Sequence, residues 1–165
     1  MGKRHVVITF DDGNESDHQF ALPALKQRGL TAAFFICSGR LDVPTFLNAT
    51  QTGELIAAGM SVGSHGVYHK AWRNLADQEL HDEVSESRAV LEKALGTKVS
   101  EAACPFGSYD SRVIKSLKAA GYDAVYTSDG GLATRAQWLR ARTTVKRSFS
   151  SDDIDSLVNF RPTLM

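Results

Sequence analysis

Short runs of apolar residues alternate along the chain with segments in which apolar positions recur every three or four residues. The first pattern is typical of a strand covered on both faces, and the second is typical of an amphipathic helix. Glycine ends several helical segments, as at Gly96 and Gly121. The strands are predicted at residues 5–10, 31–37, 60–62, 101–104, 123–127 and 143–147. The helices are predicted at residues 18–27, 43–58, 77–95, 111–120 and 152–160.

Strands that alternate with helices predict an α/β fold with a parallel sheet, either open or closed as a barrel. The carboxyl ends of parallel strands meet at one edge of the sheet, where active sites of such folds lie. Polar or turn-forming residues follow three of the predicted strands. No repeat or long linker divides the chain, so residues 1–165 are predicted to form one domain.

The composition limits the partners and the compartment. Nineteen basic residues balance nineteen acidic ones, which gives no reason to expect nucleic acid or an anionic membrane as a partner. Cys37 and Cys104 have apolar neighbours and suit buried thiols better than a disulfide. The chain has no apolar leader and no apolar stretch long enough to span a membrane, so a cytoplasmic location is the default expectation. Nothing indicates the oligomeric state.

Two groups of metal-binding residue types follow predicted strands. Asp11 and Asp12 are adjacent, so their side chains diverge, and one carboxylate can bind an ion while the other acts as a general base. His65 and His69 are four residues apart, which on a helical turn puts both imidazoles on one face, roughly 6 Å apart along the axis. Two histidines and a carboxylate form a triad that leaves positions open for water and substrate.

Each group also has an ordinary explanation. Asp-Asp-Gly is a common turn at the end of a strand, and two histidines at this spacing often lie on a solvated helix face. Their joint occurrence at strand ends favours a catalytic divalent metal site.

Three short motifs resemble those of a known family. Residues 9–13 (Thr-Phe-Asp-Asp-Gly), 64–69 (Ser-His-Gly-Val-Tyr-His) and 104–110 (Cys-Pro-Phe-Gly-Ser-Tyr-Asp) resemble, in order and rough spacing, motifs of the polysaccharide deacetylase family. This family is also called the NodB homology or carbohydrate esterase family 4 domain, and the resemblance covers about residues 4–147. It implies a distorted (β/α)7-type barrel, complete or incomplete, and removal of N- or O-acetyl groups from sugars. It also implies a divalent metal, usually zinc, although cobalt, nickel or manganese fits the same ligands.

The resemblance assigns roles to single residues. Asp11 resembles the catalytic base. The metal ligands are matched by Asp12, His65 and His69. The groove wall, where a backbone N–H helps to hold the oxyanion, is matched by Pro105, Phe106 and Gly107, and Tyr109 joins this substrate-binding group.

The chain also departs from the family. No histidine follows His81, although family members usually carry a late histidine as the general acid. Ala103 stands where an arginine often orients the base, and Gly66 replaces a serine or threonine between the two histidines. Asp11, once protonated, could itself supply the proton to the leaving group.

The segment 135–147 offers a substitute for the missing arginine, because it has five basic residues and no acid. Arg140 or Arg142 could fold back and hold Asp11 as a carboxylate. The segment could instead bind an anionic sugar or phosphate, or be a solvated loop.

These residues favour a metal-dependent carbohydrate deacetylase. A family member that binds glycans without turnover is one alternative, and a hydrolase of a small cyclic amide or ureide is another. Trp72 and Trp138 are either sugar-stacking faces or core residues.

Overall fold

The computed structural model describes residues 5–159, which form one parallel sheet with helices between its strands. The strands are β1 (Ile8–Asp12), β2 (Ala32–Ile36), β3 (Ser61–Ser64), β4 (Glu101–Ala103), β5 (Ala124–Tyr126) and β6 (Leu139–Arg140). Each strand pairs in parallel with the next along the chain, so the spatial order is β1 to β6. The predicted α/β class is confirmed, and the curled sheet is an incomplete (β/α) barrel.

Helices α1 to α5 lie between strands, as the apolar periodicity predicts, and α6 follows β6. They are α1 (Leu22–Gln27), α2 (Ala49–Ala57), α3 (Asp77–His81), α4 (Ser87–Leu95), α5 (Ser111–Ala119) and α6 (Ser151–Asn159). A π turn precedes α1 at Asp17–Ala21, and a second π turn, Asp82–Glu86, joins α3 to α4. The second turn makes residues 77–95 one continuous helical segment, as predicted. Of the helices in the described part of the chain, none is long and apolar enough to span a membrane.

Alternate residues of each strand face two separate apolar layers. Phe10 and Phe34 face the helices, and their rings stack with centroids 4.9 Å apart. Phe35 and Tyr126 face the inside of the curl, where their neighbours are small residues. Gly63 is one of these small positions, because a Cβ atom there would lie 2.6 Å from the Phe35 ring. The narrow interior therefore follows from large and small residues that alternate across strands.

The sixth strand and helix α2 differ most from the prediction, and β1 runs through Asp12 instead of ending at residue 10. The sixth strand is Leu139–Arg140, and the prediction of a strand at 143–147 is wrong. The strand forms where Leu139 packs against the core and pairs with Val125, whereas residues 143–147 are exposed. Helix α2 begins at Ala49, not at residue 43, because Asn48 caps it. Residues 1–4 and 160–165 of the predicted domain, which include the last residue of the predicted final helix, lie outside the described residues.

Candidate metal centre and active site

The three family-like motifs meet at the carboxyl edge of the sheet. Asp11 and Asp12 end β1, His65 follows β3 directly, and Phe106 lies just after β4. Each of these strands pairs with its neighbours in parallel, so their ends open on the same side.

Asp12, His65 and His69 form a compact donor set. Each offers one ligand atom, and the three atoms all lie within 4.8 Å of one another. The Nε2 atom of His69 is 3.3 Å from Oδ1 of Asp12. Two imidazole nitrogens and one carboxylate oxygen in this arrangement fit a divalent transition metal with open positions.

His65 is held in the form that binds metals. It is buried, and its Nδ1 is 2.8 Å from the carbonyl oxygen of Ala103, which can only accept. Nδ1 therefore carries the hydrogen, and Nε2 presents its lone pair to the donor set. Burial lowers the pKa of His65, which favours the neutral imidazole. Ala103 thus contributes its backbone carbonyl to the site.

The prediction that both histidines lie on a helical turn is wrong. Residues 65–71 form an irregular loop, because Gly66 and His69 adopt positive φ angles of 82° and 57°. The rings still meet, tilted, with centroids 4.9 Å apart. The four-residue spacing thus brings the imidazoles together by a loop geometry that periodicity does not predict.

Backbone strain is concentrated at this edge. Asp12, His69 and Phe106 have φ values of 77°, 57° and 58°, in the left-handed region that residues with a Cβ atom seldom adopt. They are three of the five non-glycine residues with positive φ in the described chain. Such strain often accompanies functional geometry.

Asp11 lies beside the donor set, with its Oδ2 3.8 Å from Nε2 of His65, and its hydrogen-bonding partner is Arg142. Arg142 donates from Nη1 to Asp11 Oδ1 at 2.6 Å and from Nη2 to Asp11 Oδ2 at 2.8 Å. It also donates to Thr9 Oγ1 at 2.9 Å and to the Thr127 carbonyl at 3.1 Å. Arg140 does not reach Asp11 and instead contacts Glu101 at 3.4 Å. Of the two arginines considered, the structure therefore brings only Arg142 to Asp11.

Arg40 is a site residue that the sequence argument missed. Its Nη1 lies 3.1 Å from Asp12 Oδ1, and its guanidinium stacks over the Phe46 ring at 4.9 Å. Arg40 ends the short 3-10 turn Ser38–Arg40, just beyond β2. A cation that follows a strand at this edge was the available signal. The two adjacent carboxylates thus have different cations, Arg142 for Asp11 and Arg40 for Asp12.

The groove wall has a single candidate oxyanion donor. Pro105 has no N–H, and the N–H of Gly107 donates to the Cys104 carbonyl at 2.9 Å. The backbone N–H of Phe106 is therefore the donor of this wall that could bind the oxyanion. The Phe106 ring is 69% exposed and packs against the His69 ring with centroids 4.4 Å apart.

Tyr109 lies beside this wall, but its hydroxyl is already engaged. It donates to Asp129 Oδ2 at 2.7 Å, and this bond raises the pKa of Tyr109. Asp129 is also bound by the Thr127 hydroxyl at 2.8 Å. Tyr109 is therefore better placed to fix the position of Asp129 beside the groove wall than to exchange a proton.

The two tryptophans are core residues and not sugar-stacking faces. Trp72 is fully buried, and Trp138 is half-buried with its indole N–H bound to the Tyr122 carbonyl at 2.8 Å. The exposed aromatic rings near the donor set belong instead to Tyr68 and Phe106.

Comparison with known proteins agrees with this geometry. The family model described as polysaccharide deacetylase matches residues 1–125. YxkH of Bacillus subtilis (strain 168), named as a polysaccharide deacetylase, is 29% identical over 143 residues, which are 87% of this chain and 51% of YxkH. The chain thus spans about half the length of that curated relative.

Solved structures share the fold. The Streptococcus pyogenes deacetylase PplD, in complex with acetate, superposes with a TM-score of 0.87 at 22% identity over 95% of this chain and 71% of PplD. A family 4 carbohydrate esterase from Streptomyces lividans, also in complex with acetate, gives a TM-score of 0.67 at 26% identity over 76% of this chain and 62% of its own. The chain belongs to the polysaccharide deacetylase family.

Proposed function

We propose that this protein is a metal-dependent hydrolase that removes acetyl groups from a carbohydrate. The observation that carries the proposal is the separation of two roles at the end of β1, where Asp12 joins His65 and His69 and Asp11 faces Arg142. A base beside a metal donor set, but outside it, is what hydrolysis of an acetamide or acetyl ester needs.

The donor set fits a divalent ion, with Asp12, His65 and His69 as its ligands. A bound Zn²⁺, Co²⁺, Ni²⁺ or Mn²⁺ would supply a Lewis acid for the acetyl carbonyl and would acidify a water molecule. The neutral, hydrogen-bonded His65 supports this fit, because its free Nε2 faces the other two ligand atoms.

The chain's own residues account for the proton transfers. Asp11 takes a proton from the attacking water, and Arg142 keeps both carboxylate oxygens of Asp11 oriented. The N–H of Phe106 donates to the carbonyl oxygen as negative charge develops there, an interaction that contributes about 3 kcal/mol in comparable sites. The new C–O bond forms, the bond to the leaving nitrogen or oxygen breaks, and the protonated Asp11 returns its proton to the leaving atom.

The test joins metal analysis to acetate release from acetylated oligosaccharides. Asp11→Asn should keep its metal and lose turnover by about 10²- to 10⁴-fold, as expected for the loss of a general base. His65→Ala should lose both metal and turnover. His81→Ala and Asp152→Asn are matched controls, because both side chains are exposed and lie outside the site. A wild-type protein that binds no divalent ion would contradict the proposal.

A second candidate is a glycan-binding protein without turnover. The observation that favours it is that residues 82–165 contain no histidine to act as a second proton-transfer group. Bound metal together with saccharide binding, but no acetate release on a broad panel of N- and O-acetylated glycans, would select this candidate.

A further inference from the structure

Glu83 is a buried carboxylate beneath the loop that joins the two histidines. It lies in the π turn of the long helix and is 2% exposed. Its Oε2 accepts the backbone N–H of Val67 at 2.9 Å, and its Oε1 accepts that of Tyr68 at 3.0 Å. The indole N–H of Trp72 reaches Oε2 at 3.4 Å. A carboxylate carries only acceptors when ionised, so it satisfies three N–H donors together.

Gly66 leaves the space that the Glu83 carboxylate occupies. A Cβ atom on Gly66 would lie 2.2 Å from Glu83 Oε2, so a side chain here would displace the carboxylate. The carbonyl of Gly66 accepts the hydroxyl of Ser87 at 2.8 Å, and Ser87 lies one helical turn after Glu83. Ser64 completes the network, because its hydroxyl is 2.8 Å from that of Ser87 and accepts the Gly66 N–H at 3.2 Å.

We propose that Glu83 is a positioning residue that preorganises this loop for metal binding. His69 has a φ of 57°, which a free loop would adopt only rarely. Bonds to the N–H groups of the two preceding residues hold the backbone that leads into His69. The loop then presents His69 to Asp12 before any ion binds, so the metal does not have to order it.

The proposal rests on the proposed function, in which these histidines bind a metal. Outer partners of metal ligands typically contribute about 10- to 100-fold to metal affinity. Glu83 does not touch a metal ligand directly and acts through the backbone of the loop. Because it is buried and accepts three N–H groups, we expect its effect on the position of His69 to be of similar size.

The test is Glu83→Gln, which keeps the size of the side chain but leaves one acceptor oxygen and turns an NH₂ group toward an N–H donor. Zn²⁺ affinity, measured by competition with a chromophoric chelator, should fall about 10- to 100-fold. Hydrogen exchange at the Val67 and Tyr68 amides should become faster in the metal-free protein. Glu86→Gln is the matched control in the same π turn, because Glu86 is exposed and its ion pair is with His81 at 3.7 Å. It should change neither quantity by more than twofold.

A merely structural role would lower the stability of the metal-free protein and leave the affinity of the folded protein unchanged, and that result would overturn the proposal. So would Glu83→Gln with wild-type affinity and wild-type amide protection. If the wild-type protein binds no divalent ion, the proposed function fails, and amide exchange alone decides whether Glu83 holds the loop. If Glu83→Gln does not fold, Ser87→Ala removes the milder bond to Gly66 and should give a smaller loss of Zn²⁺ affinity in the same assays. An unchanged affinity in Ser87→Ala would then count against the proposal.

Discussion

The chain before Thr127 and the chain after it are built differently, although both reach the same site. Every buried residue of the described chain lies between Gly13 and Thr127, and residues 128–159 contain none. The donor set therefore stands on a packed scaffold. The partner of Asp11 comes from a segment that has almost no core of its own.

Arg142 compensates for this lack of packing with its side chain. The guanidinium donates to Thr9, to both oxygens of Asp11 and to the Thr127 carbonyl, and it lies over the Phe35 ring at 5.3 Å. These contacts of Arg142 add to the β5–β6 pairing and to the packing of Leu139 in attaching this segment to the barrel. The comparison teaches that one polar side chain can help to fix a site residue in a segment that contributes only the half-buried Trp138 and Leu139 to the core.

The largest expected effect is on the packed part. Leu91 in α4 is fully buried, so Leu91→Ala should lower the free energy of unfolding by about 2 to 5 kcal/mol. Urea unfolding followed by far-UV circular dichroism measures this loss. A cost below about 1 kcal/mol would mean that α4 is not packed as described, and the contrast between the two parts would fail.

A buried acid should make the packed part sensitive to pH. Burial raises the pKa of Asp17 from 3.8 to about 7, and Oδ2 of its carboxyl group has no hydrogen-bond partner within residues 5–159. The folded protein therefore holds a proton that the unfolded chain releases above pH 4, so stability falls as the pH rises from about 4 to about 7. The penalty is complete above pH 7 and amounts to at most about 4 kcal/mol.

Asp17→Asn removes this penalty because the amide does not ionise. The variant should be more stable than the wild type at pH 8, and the difference should close as the pH approaches 4. Asp152→Asn, in the exposed helix α6, should show no such pH-dependent difference. A difference for Asp17→Asn that does not vary with pH would show that the carboxyl group is charged in the folded protein.

The anchor itself is tested by Arg142→Met. Turnover should fall about 10- to 100-fold because the orienting contacts to Asp11 are lost, while KM and Zn²⁺ affinity should stay within about twofold. Arg142→Lys should recover only part of the loss, since an ammonium group cannot make the two parallel bonds. Arg135→Met is the control from the same segment, because residue 135 is exposed. If Arg142→Met lost metal affinity as well, Arg142 would support the donor set and not the base alone.

The alternation of apolar patterns was enough to predict the parallel α/β fold and the edge that carries the site. It also brought the Asp11-Asp12 pair, His65 and His69 to that edge, and the resemblance to the polysaccharide deacetylase family singled out Asp12 as the ligand. Their roles as ligands, and the roles of Asp11 and Arg142, stay predictions. These features depend on local patterns of residue types, which can be read directly from a sequence.

Other features depend on contacts between distant residues and could not be predicted. Glu83 looked like any acid on an amphipathic helix, and its burial follows only from the loop above it. The strand at 143–147 was predicted from β-branched residues, but tertiary pairing selects Leu139 instead. Arg40 is different, because its position just after a predicted strand was a usable signal, although its partner Asp12 lies 28 residues away.

The smallest expected effect lies in α6. Leu157 is 37% exposed, and no residue of this helix is buried, so Leu157→Ala removes less packed surface than Leu91→Ala. Alanine also forms helices at least as well as leucine, so the free energy of unfolding should change by no more than about 1 kcal/mol. Leu91→Ala is the matched control because it makes the same chemical change in the packed part. A cost above about 2 kcal/mol for Leu157→Ala would mean that α6 packs against a surface in solution, because a loss of that size requires a buried side chain.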